Sequence, residues 1–371
     1  MSLYDELKLP KVINAAATLT KLGGSLMPSD VVATMVEASK SFIPLDEMHL
    51  AVGRRIAELT RNQAAYVSSG AAAGITLAVS ACISGTDPAK IAAFPYLENA
   101  DKNEVIIVRT QRNGYDYAAR QTGARIVEIE PDLEALDAAL GAKTACVLWF
   151  AGKLSDASPA IEDAIAITHE HHVPFLVDAA AQIPPASNLW HFTRELGVDL
   201  AIFSGGKGLR GPQSSGLILG RSDLIEACRL NGSPNPSIGR PMKVGKEELA
   251  GVLAAVDWSL KQDETELLER YETVVHGWLE DLGRLRGVRA ERVFPSEAGQ
   301  PMPRALIRFV DGGTEQRDAV IARLREGSVR VEVGTDAAAP DGIFLNPQTL
   351  EPGEEEVVTQ RLKDAIADQS A

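Results

Sequence analysis

The sequence predicts an α/β fold: a mostly parallel sheet with helices on both faces, followed by a small α+β region. Short β-rich runs alternate with helical stretches over the first two-thirds of the chain. Most of those runs are apolar on both faces, as parallel strands covered by helices have to be. From about Lys246 the alternation gives way to long amphipathic helices and then to shorter mixed elements.

In chain order, the expected strands are Ala64–Ser68, Glu104–Thr110, Arg125–Glu130, Thr144–Phe150, Val173–Asp178 and Val198–Phe203. Helices Ala72–Ile83, Tyr115–Thr122, Leu133–Leu140 and Ile161–His171 fall between them. Gly216–Gly220 follows a Gly/Pro-rich turn closely enough to return as an antiparallel strand, which makes seven. Next, Glu247–Lys261 and Glu264–Leu285 carry acids early and Arg or His late, the arrangement that complements a helix dipole. Arg304–Val310, a helix near Glu315–Glu326, Val329–Val333 and Ile343–Leu345 make the α+β part, and Gly353–Ala367 closes the chain. The expected organisation is an N-terminal arm over residues 1–20, a large domain over 21–245 and a small domain over 246–371.

Composition narrows the function. The 371 residues are 45% hydrophobic and 24% charged, ordinary for a globular chain. A formal net charge of -14 repels phosphate backbones, so nucleic acid is a poor partner. Cys82, Cys146 and Cys228 are far apart with no C-x-x-C pair, which argues against zinc and disulfides and for reduced thiols in a cytoplasm. The start of the chain has no apolar signal core, and no run of about 18 uncharged apolar residues occurs, so no membrane partner is expected. His169, His171 and His172 end a helix, where they suit its last carbonyls better than a metal.

Three stretches carry chemistry. In Phe203-Ser-Gly-Gly-Lys-Gly-Leu-Arg-Gly-Pro-Gln-Ser-Ser-Gly216, glycines frame Lys207 just past a buried strand and let a bulky planar group approach it. A desolvated lysine of this kind loses its proton and becomes a nucleophile; the plain alternative is a solvated loop lysine. Val173-Pro-Phe-Leu-Val-Asp-Ala-Ala-Ala-Gln182 is an apolar strand that ends in Asp178, at the edge where open α/β sheets bind ligands. Asp178 is placed to pair with a protonated ring nitrogen, or else is a strand-terminating acid. In Tyr66-Val-Ser-Ser-Gly-Ala-Ala-Ala-Gly74 a strand runs through a small-residue turn into a helix, whose free N–H groups suit a phosphate. Ser68 and Ser69 add hydroxyls there, and Ser204 can add another.

Taken together with Ile13–Gly24, Arg112-Asn-Gly-Tyr-Asp116 and Ile238–Lys246, these stretches resemble fold-type I pyridoxal-phosphate enzymes. Within them the chain is similar to the group of bacterial selenocysteine synthase and D-glucosaminate-6-phosphate ammonia-lyase. The likeness covers the first two-thirds of the chain, and the lysine segment with Gly211-Pro-Gln213 is its most specific part. One departure is Ala15-Ala-Ala17, which stands where such relatives tend to have a glycine.

The resemblance implies pyridoxal 5′-phosphate as cofactor, Lys207 as its Schiff-base lysine and general base, and Asp178 as partner of the pyridine nitrogen. It implies Ser69, Gly70 and Ala71 around the phosphate and Gln182 near the phenolic oxygen, with Arg112 or Asn113 over the ring. Arg240 and Lys243 follow a Pro/Gly/Asn-rich loop and are candidates to hold a substrate carboxylate. The implied reaction is α,β-elimination through a quinonoid, ammonia-lyase style, on a small hydroxy-amino acid or amino-sugar acid. A racemase, aldolase or aminotransferase, a transferase on seryl-tRNA, and a non-catalytic binding module are the alternatives. This fold usually builds its site between two subunits, which implies a homodimer or larger.

Overall fold

The computed structural model describes residues 3–367, so the two ends of the expected arm and small domain lie outside the described residues. In chain order its strands are β1 (Val12–Ala15), β2 (Ala64–Ser68), β3 (Glu104–Val108), β4 (Arg125–Ile129), β5 (Thr144–Phe150) and β6 (Phe175–Asp178). They continue with β7 (Leu200–Ser204), β8 (Gly216–Gly220), β9 (Val288–Val293), β10 (Arg304–Phe309), β11 (Arg330–Val333) and β12 (Gly342–Leu345).

Seven of them form one sheet in the order β2-β8-β7-β6-β5-β3-β4. Strands β3 to β7 pair in parallel, and β8 runs antiparallel between β2 and β7. Every residue of Thr144–Phe150 is buried, because both faces of the sheet carry a core. On one face Val67, Trp149, Phe175, Val177 and Phe203 pack together. On the other, Tyr66, Leu148, Leu176, Ile202 and Ile218 do so with the helix Ala71–Ser84. Alternate side chains of each strand therefore meet different helices, which is why these runs show no polar face.

Two compact units are present: residues 25–262, and residues 3–24 with 263–367. The grouping differs from the expected one at both ends. Helix Lys246–Leu260 packs on helices Ser29–Ser39 and Leu45–Leu59 of the sheet-bearing unit, because its Leu249, Val252 and Val256 complete that core. Within the expected arm, Val12–Ala15 form β1, which pairs in parallel with β11 over four residues. Within this second unit β9, β10 and β12 form an antiparallel sheet around Trp278, Ile307 and Phe309. The helix expected over Tyr115–Thr122 is shorter, a tight turn at Gly114–Asp116 followed by Tyr117–Arg120. Among the described residues no helix is long and apolar enough to cross a membrane.

Candidate active site

Asp178 is the last residue of β6, and β7 beside it runs out into the loop bearing Lys207. The carboxylate Oδ1 accepts the Ala180 N–H at 2.9 Å. Desolvation pushes the Asp178 pKa up, while that N–H and the charge of Lys207 pull it down; desolvation prevails and the pKa is raised. An acid in this setting gains from a cationic N–H placed against it. The two residues lie 29 positions apart in the chain, and sheet pairing brings them into electrostatic reach.

The lysine loop is held by its own backbone. Gly205 N–H donates to Ser215 O at 2.9 Å, Gly211 N–H to Gly205 O at 2.8 Å and Arg210 N–H to Lys207 O at 2.9 Å. Ser25 Oγ reaches the carbonyls of Gly206 and Lys207 at 3.0 and 2.8 Å. Arg210 sits at φ 55, donates through Nε to Leu26 O at 2.7 Å and lies over the Trp258 ring. Neither Ser25 nor Arg210 was singled out from sequence. Ser25 lies 182 positions from Lys207, so no local pattern points to it.

Around the turn after β2, Ser68, Gly216 and Ser204 face one another across β2, β8 and β7. Gly70 has φ 142 and open space where a side chain would stand. A Cβ on Gly216 would lie 2.6 Å from the Gly70 carbonyl carbon, so a glycine is needed for β8 to pass under the turn. The helix Ala71–Ser84 starts there, leaving the N–H groups of its first turn without intrahelical partners. Room, free donors and a dipole end together fit a phosphate.

The serines divide. Ser68 is buried and spends its hydroxyl proton on Gly70 O at 2.8 Å, so it braces the turn rather than offering a donor. The hydroxyls of Ser69 and Ser204 have no hydrogen-bond partner among the described residues. Gln182 is buried in the turn after β6, where its carbonyl accepts Asn188 Nδ2 at 2.7 Å.

Arg112 and Asn113 are both engaged locally. Arg112 bonds Asp116 at 2.6 Å and Glu128 at 2.5 Å, and the Asp116 carboxylate raises its pKa further. Asn113 Oδ1 accepts Tyr115 N–H at 2.7 Å, and its Nδ2 donates to Gln111 O. Arg240 and Lys243 are exposed, with no side-chain partner among the described residues. Of the histidines at the end of helix Ile161–Glu170, His169 bonds Asp199 at 2.9 Å and His171 bonds Asp137 at 2.7 Å.

Comparison with known proteins places this arrangement. Residues 26–235, more than half of the chain, match the family described as Aminotransferase class-V. The chain belongs to this family. As a class-V protein it is a pyridoxal-phosphate-dependent enzyme on the fold-type I architecture. It is 30% identical over 383 residues to D-glucosaminate-6-phosphate ammonia lyase of Salmonella typhimurium, covering 100% of this chain and 99% of that one. It is also 30% identical over 380 residues to 5'-C-glycyluridine monooxygenase-decarboxylase of a Streptomyces species, covering 98% and 92%. A solved structure of D-glucosaminate-6-phosphate ammonia-lyase aligns over 100% of both chains with a TM-score of 0.85 at 28% identity.

Proposed function

We propose that this class-V enzyme is a carbon–nitrogen lyase that releases ammonia from a small amino-sugar acid or hydroxy-amino acid. The observation that carries the reading is the desolvated Asp178 carboxylate at the end of β6, within reach of the Lys207 charge. Full-length similarity to an ammonia lyase supports the reaction class. When bound, pyridoxal phosphate supplies an electron sink beside the substrate amino group. Asp178 would sit against the ring nitrogen and favour its protonated form, and Lys207 Nζ would be the amine that anchors the cofactor. With its Nζ free, Lys207 would be the base that takes the proton from the substrate Cα.

Ser69, Ser204 and the N–H groups at Gly70 and Ala71 would hold the cofactor phosphate, and Gln182 would serve the phenolic oxygen. Arg112 or Asn113 serves the ring only by giving up a present local contact. Arg240 and Lys243, unpaired at the surface, hold the acid end of the substrate. A second copy of the chain is part of this reading, supported by the exposed apolar side chains Leu26, Val32, Val36, Phe42 and Ile43. Unpaired Cys82, Cys146 and Cys228 support a cytoplasmic setting.

A second reading is favoured by the equal identity to the Streptomyces monooxygenase-decarboxylase: oxidative decarboxylation of a glycyl group with oxygen consumed. The test incubates holoenzyme with D-glucosaminate 6-phosphate and with a panel of D- and L-amino acids. Ammonia with a keto acid, identified by mass spectrometry, supports the lyase; oxygen uptake with carbon dioxide supports the second reading. Solvent deuterium at Cα with no ammonia would indicate racemisation instead. Lys207→Ala should lose the absorption band above roughly 400 nm that borohydride bleaches in the wild type. An unchanged band in that variant removes Lys207 from its role.

A further inference from the structure

The edge of the sheet opposite Asp178 carries a second cleft of about 670 Å³, lined by Arg61, Asn62, Gln63, Thr193, Arg194, Asp199 and Arg221 among others. It lies where β2 and β7 begin and β8 ends, so five-residue β7 separates it from the lysine loop. We propose that this cleft binds a small polyanion bearing a phosphate group, at a site distinct from the cofactor's.

Charge accounting at the cleft leaves two free cations. Asp199 is buried and fully spent: its Oδ2 accepts Phe175 N–H at 2.7 Å and His169 Nε2 at 2.9 Å, and its Oδ1 accepts Arg221 Nη1 at 2.7 Å. Arg221 is paired with Asp199 and Asp223, one positive charge against two negative. Arg61 and Arg194 have no carboxylate partner among the described residues. Arg61, Arg194 and Arg221 against Asp199 and Asp223 leave one net positive charge at the cleft, a local reversal of sign in a chain of net charge -14.

Local geometry departs from the ordinary at the same place. Helix Leu45–Leu59 ends in a Schellman motif, with Asn62 N–H on Ala57 O at 2.9 Å and Arg61 N–H on Glu58 O at 3.3 Å. The left-handed position of that motif favours glycine, yet Arg61 occupies it at φ 56. Such strain persists where the side chain is wanted for something else. The Arg61 guanidinium lies 4.5 Å from the centre of the Trp190 ring, which fixes its direction.

Trp190 leads into a π-helical turn, His191–Glu195, that presents Arg194. Asn62 ties the two segments, donating to Leu189 O at 2.8 Å and accepting Thr193 Oγ1 at 2.6 Å. Arg61, fixed over Trp190, and Arg194, on the same cleft wall, match the oxygens of a phosphate better than a single carboxylate.

The probe is inorganic pyrophosphate, titrated calorimetrically into holoenzyme whose cofactor already fills its own phosphate turn. Wild type should show one saturable site that weakens as salt rises. Arg61→Gly removes the guanidinium while relieving the left-handed backbone, so its melting midpoint should not fall below wild type. Arg61→Gly and Arg194→Ala should each weaken binding about tenfold or more, and the double variant should abolish it. Absence of saturable binding in the wild type, or unchanged affinity in the double variant, overturns the proposal.

Discussion

The approach of the lysine loop to the turn after β6 can be tested at Gly208. A Cβ built on Gly208 would stand 2.1 Å from the Ile183 carbonyl oxygen and 2.9 Å from the Ile183 Cβ. The near atom is backbone, so no side-chain rotation relieves it. For Gly208→Ala the two segments have to part by about 1.3 Å to restore an ordinary 3.4 Å contact. Lys207 moves with its neighbour, and a displacement near 1 Å costs a covalent site its alignment. Overpacking of this kind costs about 1–3 kcal/mol, which lowers the melting midpoint by about 1–4 °C in a chain of this size. The assay pairs a thermal melt with a cofactor titration followed by the borohydride-sensitive absorption. Gly141→Ala is the control, because nothing lies within 4 Å of its added methyl group. A Gly208→Ala protein with wild-type melting and cofactor uptake would refute the close approach.

Two further outcomes follow from the same geometry. The raised Asp178 pKa means that, above the ordinary aspartate range, the unfolded chain releases a proton that the folded chain still holds. Stability of the cofactor-free protein therefore falls as pH rises through that interval. Asp178→Asn removes this loss, so the cofactor-free variant should melt at or above wild type at pH 7.5 and lose that advantage toward pH 4. The same variant should hold cofactor about ten- to a hundredfold more weakly, the worth of one charge-assisted hydrogen bond; equal retention would deny Asp178 its role. At Ala17, buried at φ 84, the left-handed strain and the value of the buried methyl nearly cancel. Ala17→Gly should therefore stay within about 1 kcal/mol of wild type by denaturant melt, while Ala17→Val costs about 2 kcal/mol or more.

Much of the sheet was legible because it is buried on both faces. Strands β2, β5 and β8 have the expected limits, β3, β4 and β6 differ by one or two residues at one end, and β7 is shifted at both. Asp178 and Lys207 stood out for a local reason: each breaks an apolar or glycine-rich context at the end of such a strand. Other elements were not legible. Strand β1, Val12–Ala15, is four residues long and is made a strand by β11, more than 300 positions away. Strand β9, Val288–Val293, carries Arg289, Glu291 and Arg292 among its six residues and lacks the continuous apolar run that marked the others.

By itself, then, the sequence determined the alternating elements, the large sheet and the two residues at the head of its candidate chemistry. Burial periodicity and glycine spacing are written in short stretches of chain, and they are enough for that. Which hydroxyl is available at the phosphate turn, and which residue braces Lys207, were decided only in three dimensions. Ser68 and Ser69 are neighbours of one type, yet Ser68 points its proton at Gly70 O while Ser69 keeps its own. Strand β8, threaded antiparallel between β2 and β7, sets Gly216 beneath that turn, and Ser25 closes on the lysine loop from far upstream. A hydrogen bond is a choice among partners in space, and chain order does not say which partners will be near.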